Sequence, residues 1–295
     1  MSPRTATSIG LVAIALWALL ALFTAASGTV PAFQLTALTF LVGGLSGALS
    51  WLWRPGATRA LRQPLRVWTL GVGGLFGYHA LYFAALRLAP PAEAGLVNYL
   101  WPLLIVVFSG FLPGERLRLV HVAGAALGFA GVIALSLGSG LAARPEHLPG
   151  YACAFTAAFV WAGYSVLSRR VSTVPTDAVA GFCLATSALS ALCHLAFETT
   201  VWPEGATQWL AVLALGLGPV GLAFYAWDIG MKRGDIRMLG VVSYATPVLS
   251  TLALIAGGYA EPTAALALAC ALIVAGALMA SSEKLFNRVK AAAKA

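Results

Sequence analysis

Side chains that can bind a small molecule recur at the centres of long apolar stretches. They are Trp17, Tyr78, His79, Tyr82, Asn98, Tyr99, Trp101, Trp161, Tyr164, Trp227, Ser243 and Tyr244. In membrane proteins Trp and Tyr usually gather at the two interfaces, and central ones need a partner for their N–H or O–H, or a wet cavity. The pattern favours a cavity lined with aromatic rings, with packing between helices as the alternative. Such rings can stack on aromatic groups and can bind cations.

Two prolines lie in the same central region, and each removes one backbone N–H donor. Pro102 frees the carbonyl of Asn98, and Pro247 frees that of Ser243. We expect both prolines to break their helices and to leave oxygen acceptors for a substrate ammonium, one set in each half of the chain. The alternative is a simple kink whose carbonyls are bonded by neighbouring helices or water.

His79 is the clearest ionisable side chain within an apolar stretch, and such residues are functional candidates. It could hold a substrate carboxylate or relay a proton, or it could be a neutral group bonded within the bundle. Because no central Asp or Glu accompanies it, it is a weak proton carrier, so we expect transport down the substrate's own gradient. Asp228 lies near the end of its stretch, where we expect it to pair with Lys232 at i, i+4 spacing.

The elements that position these side chains are predicted to be helices that cross a membrane. Hydrophobic residues make up 60% of the chain and charged residues only 9%, against about a quarter in a soluble domain. Uncharged stretches of about 20 residues are long enough to cross the hydrocarbon core as helices. The sequence therefore predicts an all-α membrane protein with ten transmembrane helices, of which the first, third, fourth, sixth, eighth and ninth line the cavity. The predicted spans are 7–27, 32–53, 66–87, 91–112, 118–138, 148–169, 176–197, 206–230, 237–258 and 262–282.

The two halves of the chain resemble each other. Residues 98–104 align with residues 243–249, and Trp17 aligns with Trp161. Because each half has an odd number of helices, the second half enters the membrane from the opposite side. We predict two inverted five-helix repeats, 1–140 and 146–283, followed by a basic tail, 284–295. Inverted repeats are typical of transporters, which bind substrate near the midplane between the repeats.

Charge in the loops predicts the orientation of the chain. Of the 18 Lys and Arg residues, all but Arg87 and Arg144 fall on the side of the N-terminus. The positive-inside rule then places both termini in the cytoplasm, for a multi-pass protein of the cell inner (plasma) membrane. The net charge of +8 is accounted for by this topology, so it does not indicate a nucleic-acid partner. The expected partners are a small substrate and membrane lipids, for a monomer or weak homodimer.

Catalysis is not expected, because the central His has no matching Cys, Asp or Glu at its depth. The four cysteines lie in apolar segments without metal-ligand spacing, and we expect neither a metal nor a cofactor. A channel-like pore remains an alternative from another functional class. Channels, however, usually show a ring of polar residues that oligomeric symmetry repeats around the pore.

The sequence resembles the drug/metabolite transporter superfamily in its EamA branch. The likeness lies in the five-plus-five arrangement and in a Pro-then-Glu pattern in each half, where Glu115 and Glu261 follow the proline helices. Residues 95–102 (Gly-Leu-Val-Asn-Tyr-Leu-Trp-Pro), with 225–227 and 243–250, are similar to that branch's exporters of aromatic amino acids. Asp228 departs from the pattern of these exporters, in which we expect Asn at this position. The resemblance implies export of Phe, Trp and Tyr by alternating access; other metabolites and organic cations or drugs remain alternatives.

Overall fold

The computed structural model describes residues 1–113, 117–137, 145–258 and 261–292, and the regular structure in these ranges is helical. Its membrane segments are α1 (Pro3–Ala26), α2 (Ala32–Leu49), α3 (Leu65–Leu88), α4 (Pro91–Asn98 and Trp101–Ser109), α5 (Leu119–Leu137), α6 (Leu148–Leu167), α7 (Ala178–Phe197), α8 (Gly205–Arg233), α9 (Ile236–Ala256) and α10 (Ala264–Ala292). Seven helical segments are long and apolar enough to cross a membrane, and α4, α5 and α10 hold shorter apolar helices. The predicted all-α fold of ten segments is confirmed.

Short 3-10 turns occupy several of the connections between these segments. Two of them, Ser50–Trp53 and Ala57–Leu61, lie between α2 and α3, and Ser168–Val171 follows α6. The predicted boundary at residue 140, together with Glu115 and Arg144, lies outside the described residues. Residues 284–292 of the predicted tail continue α10 as a helix.

Several segments are interrupted part of the way along their length. In α4 the helix stops at Asn98 and restarts at Trp101, and in α9 it stops at Val242 and restarts at Ala245. Pro102 and Pro247 lie in the first turn of the restarted helices, where the missing N–H has no intrahelical partner to lose. In α8 the helix widens to a π-helical turn at Gly218–Leu222.

The packing of the helices has the symmetry of two inverted repeats. The most extensive contacts join α2 to α7, α5 to α10, α3 to α6, and α1 to α8. Exchanging the two halves converts the α3–α6 contact into the α8–α1 contact, and it returns the other two contacts to themselves. A two-fold axis between the repeats produces this pairing, so the predicted five-plus-five arrangement is confirmed.

Small residues allow the closest of these contacts. A Cβ atom added at Gly10 of α1 would lie 3.1 Å from the Cα atom of Gly230 in α8, and one at Gly276 of α10 would lie 2.5 Å from the carbonyl oxygen of Gly124 in α5. Small residues at helix contacts are a general device in membranes, because no hydrophobic force draws helices together there. These glycines therefore hold the two repeats against each other.

The α2–α7 pair is joined at one end by hydrogen bonds to a carboxylate and at the other end by an ion pair. At one end the Glu198 carboxylate accepts hydrogen bonds from the backbone N–H groups of Phe33 (3.0 Å) and Gln34 (3.1 Å) and from Arg87 (2.8 Å). At the other end Arg54 contacts Asp177. The pair is thus a rigid support for the helices around the cavity.

Candidate substrate cavity

A cavity of about 230 Å³ lies where α1, α3, α4, α6, α8 and α9 meet. These are the six segments that the sequence analysis expects around a cavity. Its lining is formed by Trp17, Leu20, Ala21, Tyr78, His79, Tyr82, Asn98, Tyr99, Trp101, Trp161, Val220, Phe224, Thr246 and Ser250. The cavity occupies the half of the bundle nearest the α1–α2 and α3–α4 connections.

Most of the predicted site residues come together at this cavity. Those that line it are Trp17, Tyr78, His79, Tyr82, Asn98, Tyr99, Trp101 and Trp161. The sequence analysis missed Leu20, Ala21, Val220, Phe224, Thr246 and Ser250. Thr246 had a signal, because it aligns with Trp101 in the internal repeat. Phe224 directly precedes the 225–227 stretch singled out above.

The other four predicted residues lie behind the cavity wall and do not line it. The Trp227 indole N–H donates to the Ser165 hydroxyl (3.0 Å), and the Tyr164 ring packs on Trp161 (5.5 Å between ring centres). The Ser243 hydroxyl donates to a carbonyl of its own helix, and the Tyr244 hydroxyl accepts the Leu103 N–H at 3.1 Å. The structure thus places Tyr164, Trp227, Ser243 and Tyr244 as supports of the lining.

Indole and phenol rings form the walls of the cavity. The Trp17 ring stands nearly perpendicular to that of Trp101 (86°, 6.3 Å between centres) and to that of Trp161 (75°, 5.6 Å). The Tyr78 and Tyr82 rings are stacked 5.9 Å apart. Offset and edge-to-face arrangements are the favoured geometries of aromatic pairs, so the walls are stable and an aromatic guest can join them in the same way.

The polar groups of the cavity are neutral and partly bonded to one another. Asn98 Nδ2 donates to the Tyr78 hydroxyl at 3.0 Å, and His79 Nδ1 lies 2.7 Å from the Leu75 carbonyl oxygen. Among the described residues that line the cavity, none is Asp, Glu, Lys or Arg. Within the described parts of the chain, no group of three or more His, Cys, Asp or Glu side chains is placed to hold a metal ion.

The two proline breaks differ in what they leave unbonded. The Ser243 carbonyl accepts the N–H of Thr246 at 3.0 Å, so the prediction that Pro247 leaves it free is wrong. A tight turn at the break supplies a donor that helical geometry alone does not provide. At the other break, the Asn98 Oδ1 atom has no partner among the described residues.

A layer of buried polar contacts closes the bundle on the side of the N-terminus. Lys232 Nζ lies 2.8 Å from Asp228 Oδ1 and donates to the Val174 carbonyl at 2.9 Å, while the Thr176 hydroxyl donates to Asp228 at 2.7 Å. The predicted pairing of Asp228 with Lys232 is confirmed, and both side chains are buried. This network and the buried Trp227 ring separate the cavity from that face.

Known proteins share both the sequence and the shape of this chain. The EamA-like transporter family matches residues 5–137 and 148–282. A protein of Ancylobacter novellus described as aromatic amino acid exporter YddG is 62% identical over 95% of this chain and 98% of its own length. An Escherichia coli protein with the same description is 29% identical over 85% of this chain and 88% of its own length. A crystal structure of a protein 62% identical superposes with a TM-score of 0.91 over 95% of this chain and 98% of that protein. The chain belongs to the EamA-like transporter family and is a multi-pass membrane protein.

Proposed function

We propose that this protein exports aromatic amino acids (Phe, Trp and Tyr) by alternating access. The observation that carries the proposal is the cavity between the repeats, which has indole and phenol walls and neutral polar groups. Its volume of about 230 Å³ is below the roughly 300–1,000 Å³ of sites for drug-sized ligands, which suits a single small metabolite. The substrate class is also that of the 62% identical relative.

The proposed orientation places the cavity on the outer side of the membrane, and export is proposed from the similarity to the exporter of Ancylobacter novellus. With both termini in the cytoplasm of a cell whose plasma membrane holds the protein, the cavity extends toward the outside. The closed layer around Asp228 and Lys232 then lies on the cytoplasmic side. Alternating access requires a second state in which that layer opens and the outer half closes around the substrate.

Another substrate class in the same superfamily is the second candidate. The uncharged, aromatic lining favours organic cations as well as aromatic amino acids, because ring faces attract cations. A channel-like pore fits less well, since the packed layer interrupts a continuous path. We propose a monomer or weak homodimer in contact with membrane lipids, with a small-molecule substrate and no cofactor.

Transport by the purified protein in proteoliposomes tests this function. Vesicles are loaded with labelled Phe, and each common amino acid is added as a competitor. We expect saturable flux that Phe, Trp and Tyr inhibit more strongly than aliphatic or charged amino acids do. Flux that does not saturate would indicate a pore, and saturable flux without aromatic preference would assign another substrate class.

A further inference from the structure

The break in α4 holds an acceptor atom, Asn98 Oδ1, to which no described residue donates. Asn98 is buried, with 4% of its surface exposed, and its Nδ2 is already bonded to the Tyr78 hydroxyl. Its Oδ1 has no partner among the described residues. Unmatched acceptors in an apolar region are unfavourable until a donor reaches them. Asn98 is therefore prepared to receive a donor from a ligand.

His79 adds a second acceptor on the neighbouring segment. Its Nδ1 points to the Leu75 carbonyl at 2.7 Å, and only an N–H makes that contact favourable. The ring is held edge-to-face against Phe40 (5.0 Å) and Tyr78 (5.1 Å). A neutral imidazole with its proton on Nδ1 presents Nε2 as an acceptor. In this geometry His79 accepts a hydrogen bond from a ligand, whereas the sequence analysis allowed it to hold a carboxylate.

In the second repeat Ser243 takes the place of Asn98, and the lining group without a partner is the buried Thr246 hydroxyl, which can donate as well as accept. The Ser243 hydroxyl donates to the Leu239 carbonyl, and the Ser243 carbonyl is occupied by the Thr246 N–H. What faces a carboxylate is a set of neutral hydroxyl groups on Tyr82, Tyr99, Thr246 and Ser250. No Lys or Arg is among the described residues of the lining, so a carboxylate has no charged partner there.

We propose that this cavity recognises its substrate through the ammonium group, which donates to Asn98 Oδ1 and His79 Nε2. The faces of Trp17 and Trp101 add cation–π attraction to the same group. The carboxylate is left to neutral hydroxyl donors and contributes less to affinity. The ligand class is then an aromatic primary amine, with or without a carboxylate. This inference rests on the proposed function and specifies which group of the substrate the protein recognises.

The test is competition by analogues that share one side chain and differ in their polar groups. Phenethylamine and phenylalanine methyl ester keep the ammonium without the carboxylate. 3-Phenylpropanoate and N-acetylphenylalanine keep the carboxylate without the ammonium. Against labelled Phe in proteoliposomes, we expect the two amines to inhibit about ten- to a hundredfold more strongly than the two acids, as the loss of a charge-assisted hydrogen bond predicts. Thermal shift of the detergent-solubilised protein reports binding of the same compounds independently of their permeation.

Two pairs of variants locate the effect. Asn98→Asp places a formal negative charge at the acceptor and should widen the preference for amines, whereas Asn98→Leu should narrow it. His79→Gln keeps an acceptor and should preserve the preference for amines over acids. His79→Phe removes the acceptor and should reduce that preference. Thr156→Val, on a surface-exposed position of α6, is the control for handling and reconstitution.

The two proposals fail in distinguishable ways. Acids that inhibit wild-type flux of Phe as strongly as amines, or more strongly, overturn ammonium recognition while leaving aromatic transport intact. Absence of saturable flux for any aromatic amino acid overturns the proposed function instead. Because the wild-type competition series decides the first question, a variant that fails to fold does not prevent the answer.

Discussion

The indole N–H of Trp17 in α1 donates to the carbonyl oxygen of Pro219 in α8 at 3.0 Å. This bond joins the wall of the cavity to the π-helical turn at Gly218–Leu222. π-helical turns are rare in proteins, and many of those known occur at functional sites. This one contains Val220 and directly precedes the helical turn of Phe224, and both residues line the cavity. If Trp17 shifts when a substrate binds, this hydrogen bond would carry the shift to the π-helical turn of α8.

Trp17→Phe keeps an aromatic ring at this position and removes the donor. We expect a loss of about 1–3 kcal/mol in the free energy of unfolding, because a carbonyl within the bundle loses a partner. The measurement is thermal unfolding in detergent. Trp209→Phe is the matched control, since Trp209 is 40% exposed and stacks only on Trp202 in the described structure. Equal melting temperatures for wild type and Trp17→Phe would show that the bond contributes nothing.

Trp101→Ala and Tyr78→Ala each remove a ring from the cavity wall. We expect kcat/KM for Phe and Trp to fall about tenfold in each variant, which corresponds to the loss of one aromatic contact. Expression and the detergent elution profile should stay close to those of the wild type. Trp202→Ala, which removes a largely exposed ring far from the cavity, should leave the kinetics unchanged. Unaltered saturation kinetics in both cavity variants would mean that these rings only fill space.

Part of this site follows from the sequence because depth along a helix is fixed by counting residues. Counting residues places Trp17 and Trp101 near mid-membrane and Trp161 in the inner half of the membrane, and the structure brings the three rings together. Depth does not fix the direction in which a side chain points. Tyr244 has the depth of a cavity residue, but it turns toward the Leu103 N–H at the start of the second half of α4.

Whether a carbonyl four residues before a proline finds a donor also depends on tertiary geometry, as the Ser243 carbonyl before Pro247 shows. Whether the N–H of Thr246 turns back to Ser243 depends on the angle between the two halves of α9, and neighbouring helices set that angle. The ten segments and their inverted pairing were predictable because charge spacing and an odd helix count are properties of the chain alone. Sequence spacing does not distinguish a side chain that lines the cavity from one that packs behind it. The structure shows the second case for Tyr164, Trp227 and Ser243.

The buried pair of Lys232 and Asp228 gives a prediction about stability. Lys232→Met leaves the Asp228 carboxylate buried without its cation, and we expect a loss of about 3–5 kcal/mol, as for other broken buried pairs. Adding Asp228→Asn to Lys232→Met removes the unpaired charge and should restore most of that stability. Denaturant or thermal unfolding of the single and double variants measures the coupling between the two sites. If the double variant is no more stable than Lys232→Met alone, the pair does not act as a unit.

The proposed topology is tested by labelling single cysteines. The four native cysteines, Cys153, Cys183, Cys193 and Cys270, are first replaced. With both termini in the cytoplasm, a cysteine at Glu204, before α8, should react with an impermeant maleimide added to intact cells. A cysteine at Thr58, between α2 and α3, should react only after the membrane is opened. Both positions are exposed in the structure, so the opposite pattern would reverse the proposed orientation.

Energy coupling can be predicted from the groups that the cavity contains. Coupling to protons requires a group that changes charge during the transport cycle, and His79 is the one histidine in the described lining. Its Nδ1–H is fixed on the Leu75 carbonyl, and no Asp or Glu of the described lining can pair with its charged form. The buried Asp228 carboxylate of the same bundle is already bonded to Lys232 and Thr176.

We therefore expect transport to follow the substrate's own gradient. His79→Gln cannot titrate but keeps an acceptor, so it should retain at least about half of the wild-type flux, since a neutral hydrogen-bonding group replaces another. Flux of labelled Phe through both proteins should change little when a pH gradient is imposed across the vesicle membrane. His79→Phe serves as the comparison that removes both titration and hydrogen bonding. Accumulation of Phe against its gradient, driven by protons alone in wild-type vesicles and lost in His79→Gln, would instead make His79 the coupling site.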